Sequence, residues 1–212
     1  MRFLYYLSLF LFLIPFQIIS GQSTISDTSR AITLKDVVVS ANKVEETRKT
    51  VAQQITVLYT NQIAGLQAQS TADLMANTGN VFMQKSQLGG GSVTLRGFEA
   101  SRTLLVVDGV RMNNLIYRAG HLQNIVTLDN NSLSKVEILY GPSSTVYGSD
   151  ALGGAVLLYT KKPVFASGDQ NKAVKANAFS RYGSADNEVT GHLDFNIGAK
   201  RLASLTSFTY SM

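Results

Sequence analysis

The chain has 212 residues, 19 Lys or Arg against 14 Asp or Glu for a net charge of +5, 45% hydrophobic residues, and neither Cys nor Trp. Without cysteine there is no disulfide framework and no thiolate metal site, so the fold rests on packing alone. The basic residues are spread along the sequence with no dense block of the kind that tracks phosphates, which argues against nucleic acid as a partner.

Arg2 precedes a nearly unbroken apolar run from Phe3 to Phe16, and Ile19-Ser20-Gly21 stands ahead of Gln22; residues 1–21 read as a secretory signal peptide. The run is shorter than the roughly 20 residues of a membrane-spanning helix, and no basic stop-transfer cluster follows it. Without Arg2 the mature chain keeps 18 basic and 14 acidic residues, a net of +4. Its apolar residues come in short β-type runs that exclude an all-helical fold.

Residues 22–31 are polar and predict a mobile tail. Within 32–41 the valines Val37, Val38 and Val39 follow Asp36 and precede Ser40 and Ala41. This short extended segment suits either an unpaired strand that invites a partner's edge or the first strand of a folded sheet. Ile55 to Tyr59 predicts a strand, with Thr60 capping a short helix that ends near Gly65. Ser70 and Asp73 open a second helix, closed by Gly79. Val81 to Lys85 predicts a strand, Gly89-Gly90-Gly91 a flexible link, and Val93 to Arg96 the next strand. Asp108-Gly109 between Leu104–Val107 and Val110–Met112 predicts a hairpin on a two-residue type I′ turn. Asn113 to Asn131 is a long polar loop carrying Tyr117, Arg118, His121 and Gln123, and is a candidate functional loop. Lys135 to Tyr140 predicts a strand, Gly141-Pro142 a turn with Pro142 first in a helix running through Tyr147, and Gly153-Gly154 releases a strand over Ala155–Thr160. Strands alternating with short helices predict an α+β domain built on a small mixed sheet.

From Lys172 the pattern changes. Val189, Gly191, Leu193, Phe195 and Ile197 alternate with polar residues, and together with 173–182 and 202–210 this reads as consecutive transmembrane β-strands. A soluble amphipathic sheet has the same period, so alternation alone leaves both readings open. No motif for catalysis stands out: Gly141 to Gly148 lacks the lysine of a phosphate cradle, no G-x-S-x-G surrounds Ser143 or Ser144, and His121 and His192 lie on separate elements.

Two stretches carry most of the information: Ser92-Val-Thr-Leu-Arg-Gly-Phe98 running on to Asp108-Gly-Val-Arg-Met-Asn-Asn114, and Lys135-Val-Glu-Ile-Leu-Tyr-Gly-Pro-Ser-Ser144 running on to Tyr147-Gly-Ser-Asp-Ala-Leu-Gly-Gly154. Their order and their spacing of about 40 residues resemble the plug domain of TonB-dependent outer-membrane receptors, with most likeness to the haem and iron–siderophore receptors of Bacteroidetes. The resemblance implies a mobile segment at 22–41, a plug over 42–165, and the first antiparallel strands of an incomplete transmembrane β-barrel over 172–212. Three strands leave two open edges, whereas plugged transporters use about 22 strands. The expectation is the front portion of a longer receptor, through a truncated reading frame or as a fragment.

In such a receptor Asp36, Val37, Val38, Val39, Ser40 and Ala41 match the TonB box, gripped from the periplasm by the TonB C-terminal domain through β-augmentation. Arg96, Arg102 and Glu137 match plug positions that contact the barrel, although Tyr140 stands where many members carry an arginine. Arg118-Ala-Gly-His121 is similar to the plug loop of haem receptors. That makes His121 an axial ligand for the iron of transported haem, with Tyr117 and Arg118 beside it, and iron–siderophore uptake fits equally. The resemblance implies no required cofactor and no enzyme activity. The competing expectation is a soluble periplasmic plug-only module that binds ligand or occupies TonB as a decoy. The few residues ahead of the box set aside receptors with an N-terminal signalling or carboxypeptidase-like domain.

Overall fold

The computed structural model describes residues 37–38, 43–44, 46–85, 91–99, 102–112, 125, 128–167, 170–184 and 187–212. The predicted signal peptide, most of the box, and the loop positions Tyr117, Arg118 and His121 lie outside the described residues.

Strand β1 (Val37–Val38) pairs antiparallel with β2 (Glu46–Thr47), apart from every other strand. β3 (Gln54–Tyr59) runs into helix α1 (Thr60–Gly65), whose cap is Tyr59 and not Thr60. Gln62 Oε1 accepts the Tyr59 N–H at 3.0 Å, which frees the Thr60 hydroxyl to donate to the Ser134 carbonyl at 2.7 Å. Helix α2 (Thr71–Ala76) starts as its sequence dictates, with Ser70 Oγ accepting the Asp73 N–H at 3.2 Å. Gly79, at φ +77°, then turns the chain into β4 (Val81–Lys85).

β4 pairs antiparallel with β5 (Gly91–Leu95). Gly91 belongs to that strand instead of loosening the chain: a Cβ there would lie 2.9 Å from Met83 Cε and 3.1 Å from Ala72 Cβ. β5 also stops earlier than expected. Arg96 and Gly97, at φ +50° and +83°, are the central residues of a tight turn in which Leu95 and Phe98 exchange both backbone hydrogen bonds at 2.9 Å. The predicted hairpin follows as β6 (Thr103–Val107), Asp108-Gly109 at φ +47° and +86°, and β7 (Val110–Arg111).

A short 3-10 turn (Asn130–Ser132), capped by Asp129, leads into β8 (Leu133–Tyr140). Helix α3 (Ser144–Tyr147) has Ser143 as its cap, so Pro142 precedes the helix and is not its first residue. β9 (Gly154–Thr160) completes a five-stranded sheet of order β3-β8-β9-β6-β7, antiparallel except where β6 runs parallel to β9. One face packs Leu105, Val136, Ile138, Val156 and Leu158 under Ile63, Leu74, Met75, Val93 and Leu95. The other packs Ile55, Val57, Leu104, Leu139 and Leu157 with Ala151, half-covered by Tyr147 and Tyr159. This is the small mixed α+β sheet expected from the sequence.

The remaining strands, β10 (Lys172–Gly183), β11 (Glu188–Ala199) and β12 (Ala203–Ser211), form an antiparallel three-stranded meander, and among the described residues they close no barrel. Among the described residues no helix is long and apolar enough to cross a membrane.

Candidate functional site

The two glycine-bearing stretches pack on each other. Phe98, just past the first turn, lies against Gly153, where a Cβ would stand 2.1 Å from Phe98 Cβ and 3.2 Å from the Arg102 carbonyl. The Gly153 N–H donates to that same carbonyl at 2.8 Å, and the Gly141 N–H to the Gly153 carbonyl at 3.1 Å. Gly148, at φ +96°, leaves room for the Arg111 guanidinium, which bonds Asp150 at 2.6 Å. Gly153 therefore marks a close approach that a side chain would block, whereas Gly141, at φ +100° with open space around it, is required by its left-handed backbone.

The meander inverts the polarity of a soluble sheet. On β11 the polar residues Thr190, His192, Asp194 and Asn196 are buried, while Val189, Leu193, Phe195 and Ile197 are 40–52% exposed. The buried side meets the five-stranded domain in a polar seam. The Lys161 ammonium and the Asn177 amide each donate to Asp194 at 2.8 Å. His192 Nδ1 lies 2.6 Å from Thr209 Oγ1, Nε2 lies 3.3 Å from Asp194 Oδ2, and the Thr209 hydroxyl donates to Asp129. The Asn196 side chain accepts the Val164 N–H at 2.8 Å and donates to the Val164 carbonyl at 3.0 Å. At the far end the Arg181 guanidinium donates to the Ala68 carbonyl at 2.8 Å and the Gln67 carbonyl at 3.1 Å, and pairs with Glu188 at 3.3 Å. Sequence reading missed these residues as a set. Their one signal was the polar half of the β11 alternation.

The predicted plug–barrel residues differ from one another in setting. Arg96 and Arg102 are exposed. Arg96 donates to Gln54 Oε1 at 2.5 Å and stacks over the Tyr140 ring at 5.6 Å, so the departure from the family pattern at Tyr140 supplies an aromatic seat for the neighbouring arginine. Glu137 is fully buried, with the Lys135 ammonium 2.5 Å from its Oε1 and no hydrogen bond of good geometry to either oxygen. Burial first, and then the Glu137 charge, push the phenol of Tyr147 up to about 12; the same two causes lead in raising Tyr159.

The molecule has two distinct ends. Lys43, two residues past Ala41, lines a cavity of about 690 Å³ with Arg111, Tyr147, Tyr159, Lys161 and Lys162. The chain leaving that cavity bonds β11 at Asn196 and, through the Ala166 N–H, at the Ala199 carbonyl. The root of the box and the β11–β12 turn thus share one end. At the other, a cavity of about 250 Å³ is lined by Ile63, Gln67, Ala68, Asn130, Phe179 and Arg181. Among the described residues no cluster of His, Asp and Glu is placed to hold a metal ion.

A compact stopper seated on the polar side of strands whose other side is apolar defines a plug resting on the inner wall of a membrane pore. The comparisons identify its kind. Residues 47–155 match the model of the TonB-dependent receptor plug domain, and the chain belongs to that family. Among curated proteins it is 31% identical over 153 residues to the vitamin B12 transporter BtuB of Vibrio vulnificus strain YJ016, covering 71% of this chain and 23% of that one. Over 129 residues it is 34% identical to BtuB of strain CMCP6, covering 58% and 20%. Among solved structures, FpvA of P. aeruginosa bound to a heterologous pyoverdine superposes with a TM-score of 0.65 at 18% identity, over 82% of this chain and 22% of that one. The alcaligin receptor FauA of Bordetella pertussis superposes at 0.62 and 18% identity, over 82% and 29%, and shares the fold. The chain spans less than a quarter of the length of the curated relatives it matches.

Proposed function

We propose that this chain is the front portion of an outer-membrane receptor whose plug gates TonB-energised uptake of an iron chelate, either haem or a ferric siderophore. The observation that carries this reading is the inverted meander, with polar residues locked to the plug and apolar residues facing away, because that arrangement suits a barrel wall and disfavours a soluble plug-only module or TonB decoy. The leader over 1–21 exports the chain, and Asp36–Ala41 is the strand offered to TonB. Its support is that, among the described residues, β1 pairs with β2 alone and stays outside the central sheet, so it can be peeled away and handed to another edge. The exposed Arg96 and Arg102 are available to carboxylates on barrel strands beyond β12.

Ligand arrives at the end opposite the box root, and Tyr117, Arg118 and His121, which lie outside the described residues, are the side chains offered to it. A corrinoid is the second reading, favoured by the named BtuB relatives. The test is a titration of the full receptor with haemin, a ferric siderophore and cyanocobalamin. Haem uptake requires a Soret shift that disappears in His121→Ala; a siderophore or corrinoid that binds with no Soret change assigns the cargo to that class. Failure to bind any of the three overturns the proposal.

A further inference from the structure

The β11–β12 turn carries Lys200 and Arg201, both exposed, followed by Leu202 at 80% exposure. Lys172 pairs in register with Ala199, on the adjacent strand, and is exposed too. It stands two residues before Val174, whose partner is Ile197, so Lys172 continues the apolar side of the wall. Among the described residues none of the three cations makes an ion pair. Their neighbours differ: Lys161 is taken up by Asp194, and Lys175 sits opposite Asn196 on the plug-facing side. Across 161–175 and 196–203 the sequence has six Lys or Arg and a single acid, Asp169.

The opposite end of the wall is finished in another way. Tyr182 and Tyr210 are exposed on the apolar side, paired with Val189 and Gly191. The eight steps from Val189 to Ile197 cover about 27 Å along the strand, against an apolar band about 25 Å tall in outer-membrane barrels. An aromatic margin, an apolar band and a cationic margin thus follow one another down a single face. The cations fall at headgroup depth, where lysine and arginine stems can lie on hydrocarbon while their heads reach phosphate.

We propose that Lys172, Lys200 and Arg201, gathered round Leu202 at the box end of the wall, form a docking surface for anionic phospholipid headgroups of the phosphatidylglycerol type. The proposal rests on reading β10–β12 as a membrane wall. The bound leaflet is the one on the TonB side, and the contact anchors the end of the wall to which the plug is tethered.

The test is flotation of the full chain, diluted from detergent, with vesicles of phosphatidylethanolamine alone or with three-tenths phosphatidylglycerol. The chain should float with both and prefer the anionic vesicles. Lys200→Gln with Arg201→Gln should lower that preference about 25-fold, at about fivefold per cation. Lys49→Gln with Lys85→Gln removes the same charge from the plug and should leave the preference intact; both variants should keep the far-UV strand signal of the parent. Equal losses in the two double variants, or no preference for phosphatidylglycerol, overturn the docking surface while sparing the wall. Failure to float with either vesicle overturns the wall itself, and the proposal with it.

Discussion

Gly153 holds the two signature stretches together, since any side chain there would enter Phe98 and approach the Arg102 carbonyl. Overpacking at a site with no room to yield costs about 1–3 kcal/mol. Gly153→Ala should therefore lower the denaturant midpoint of the plug, and an unchanged midpoint would show that Phe98 swings aside freely. The glycines of the two stretches stand out in the sequence because close approach, as at Gly153, and a left-handed φ, as at Gly97, Gly109 and Gly141, both leave a mark on residue type. Arg96 could not: Arg-Gly is not among the pairs that announce a type I′ turn, yet the left-handed φ at Arg96 aims its guanidinium at Tyr140. Tyr59 is hidden for a related reason: Gln62 is an ordinary capping-box partner, but tyrosine is not a residue of the usual N-cap type. His192 was visible only as a lone histidine, since its neighbour Asp129 sits 63 positions earlier in the chain.

At the level of elements, the hairpin at Asp108-Gly109, the Ser70-capped helix and the three long strands follow from local pattern. What local pattern leaves open is the facing of those strands, because a period of two does not say which side meets water. The cover over β8 has a consequence of its own. Tyr147 on α3 and Tyr159 on β9 shield the buried Glu137, and both phenols titrate above their ordinary value of 10.0. In the folded state they keep their protons where the unfolded chain has lost them, so this stability is fully present below pH 10 and drains away as pH rises toward about 12. An alkaline scan of the unfolding midpoint should fall across that window, with phenolate absorbance rising late, and Tyr147→Phe should flatten part of the fall. A midpoint indifferent to pH between 10 and 12 would contradict the shielding.

For the whole molecule, the order β3-β8-β9-β6-β7 with its one parallel neighbour joins segments some 50 residues apart, which no window of local sequence reports. The passage from a small mixed sheet to three long antiparallel strands was legible, since the hydrophobic pattern changes at Lys172. Deleting Asp36–Ala41 from the full receptor should abolish energised uptake and leave ligand affinity unchanged. Uptake that survives the deletion would mean the box lies elsewhere.

Asn196 uses its single amide to stand in for a neighbouring strand, satisfying both main-chain groups of Val164 at once. One rotation about that side chain would unhook the tether at this point without tearing a rung from either sheet. The stopper is basted to its casing here, and a basting thread is meant to be drawn.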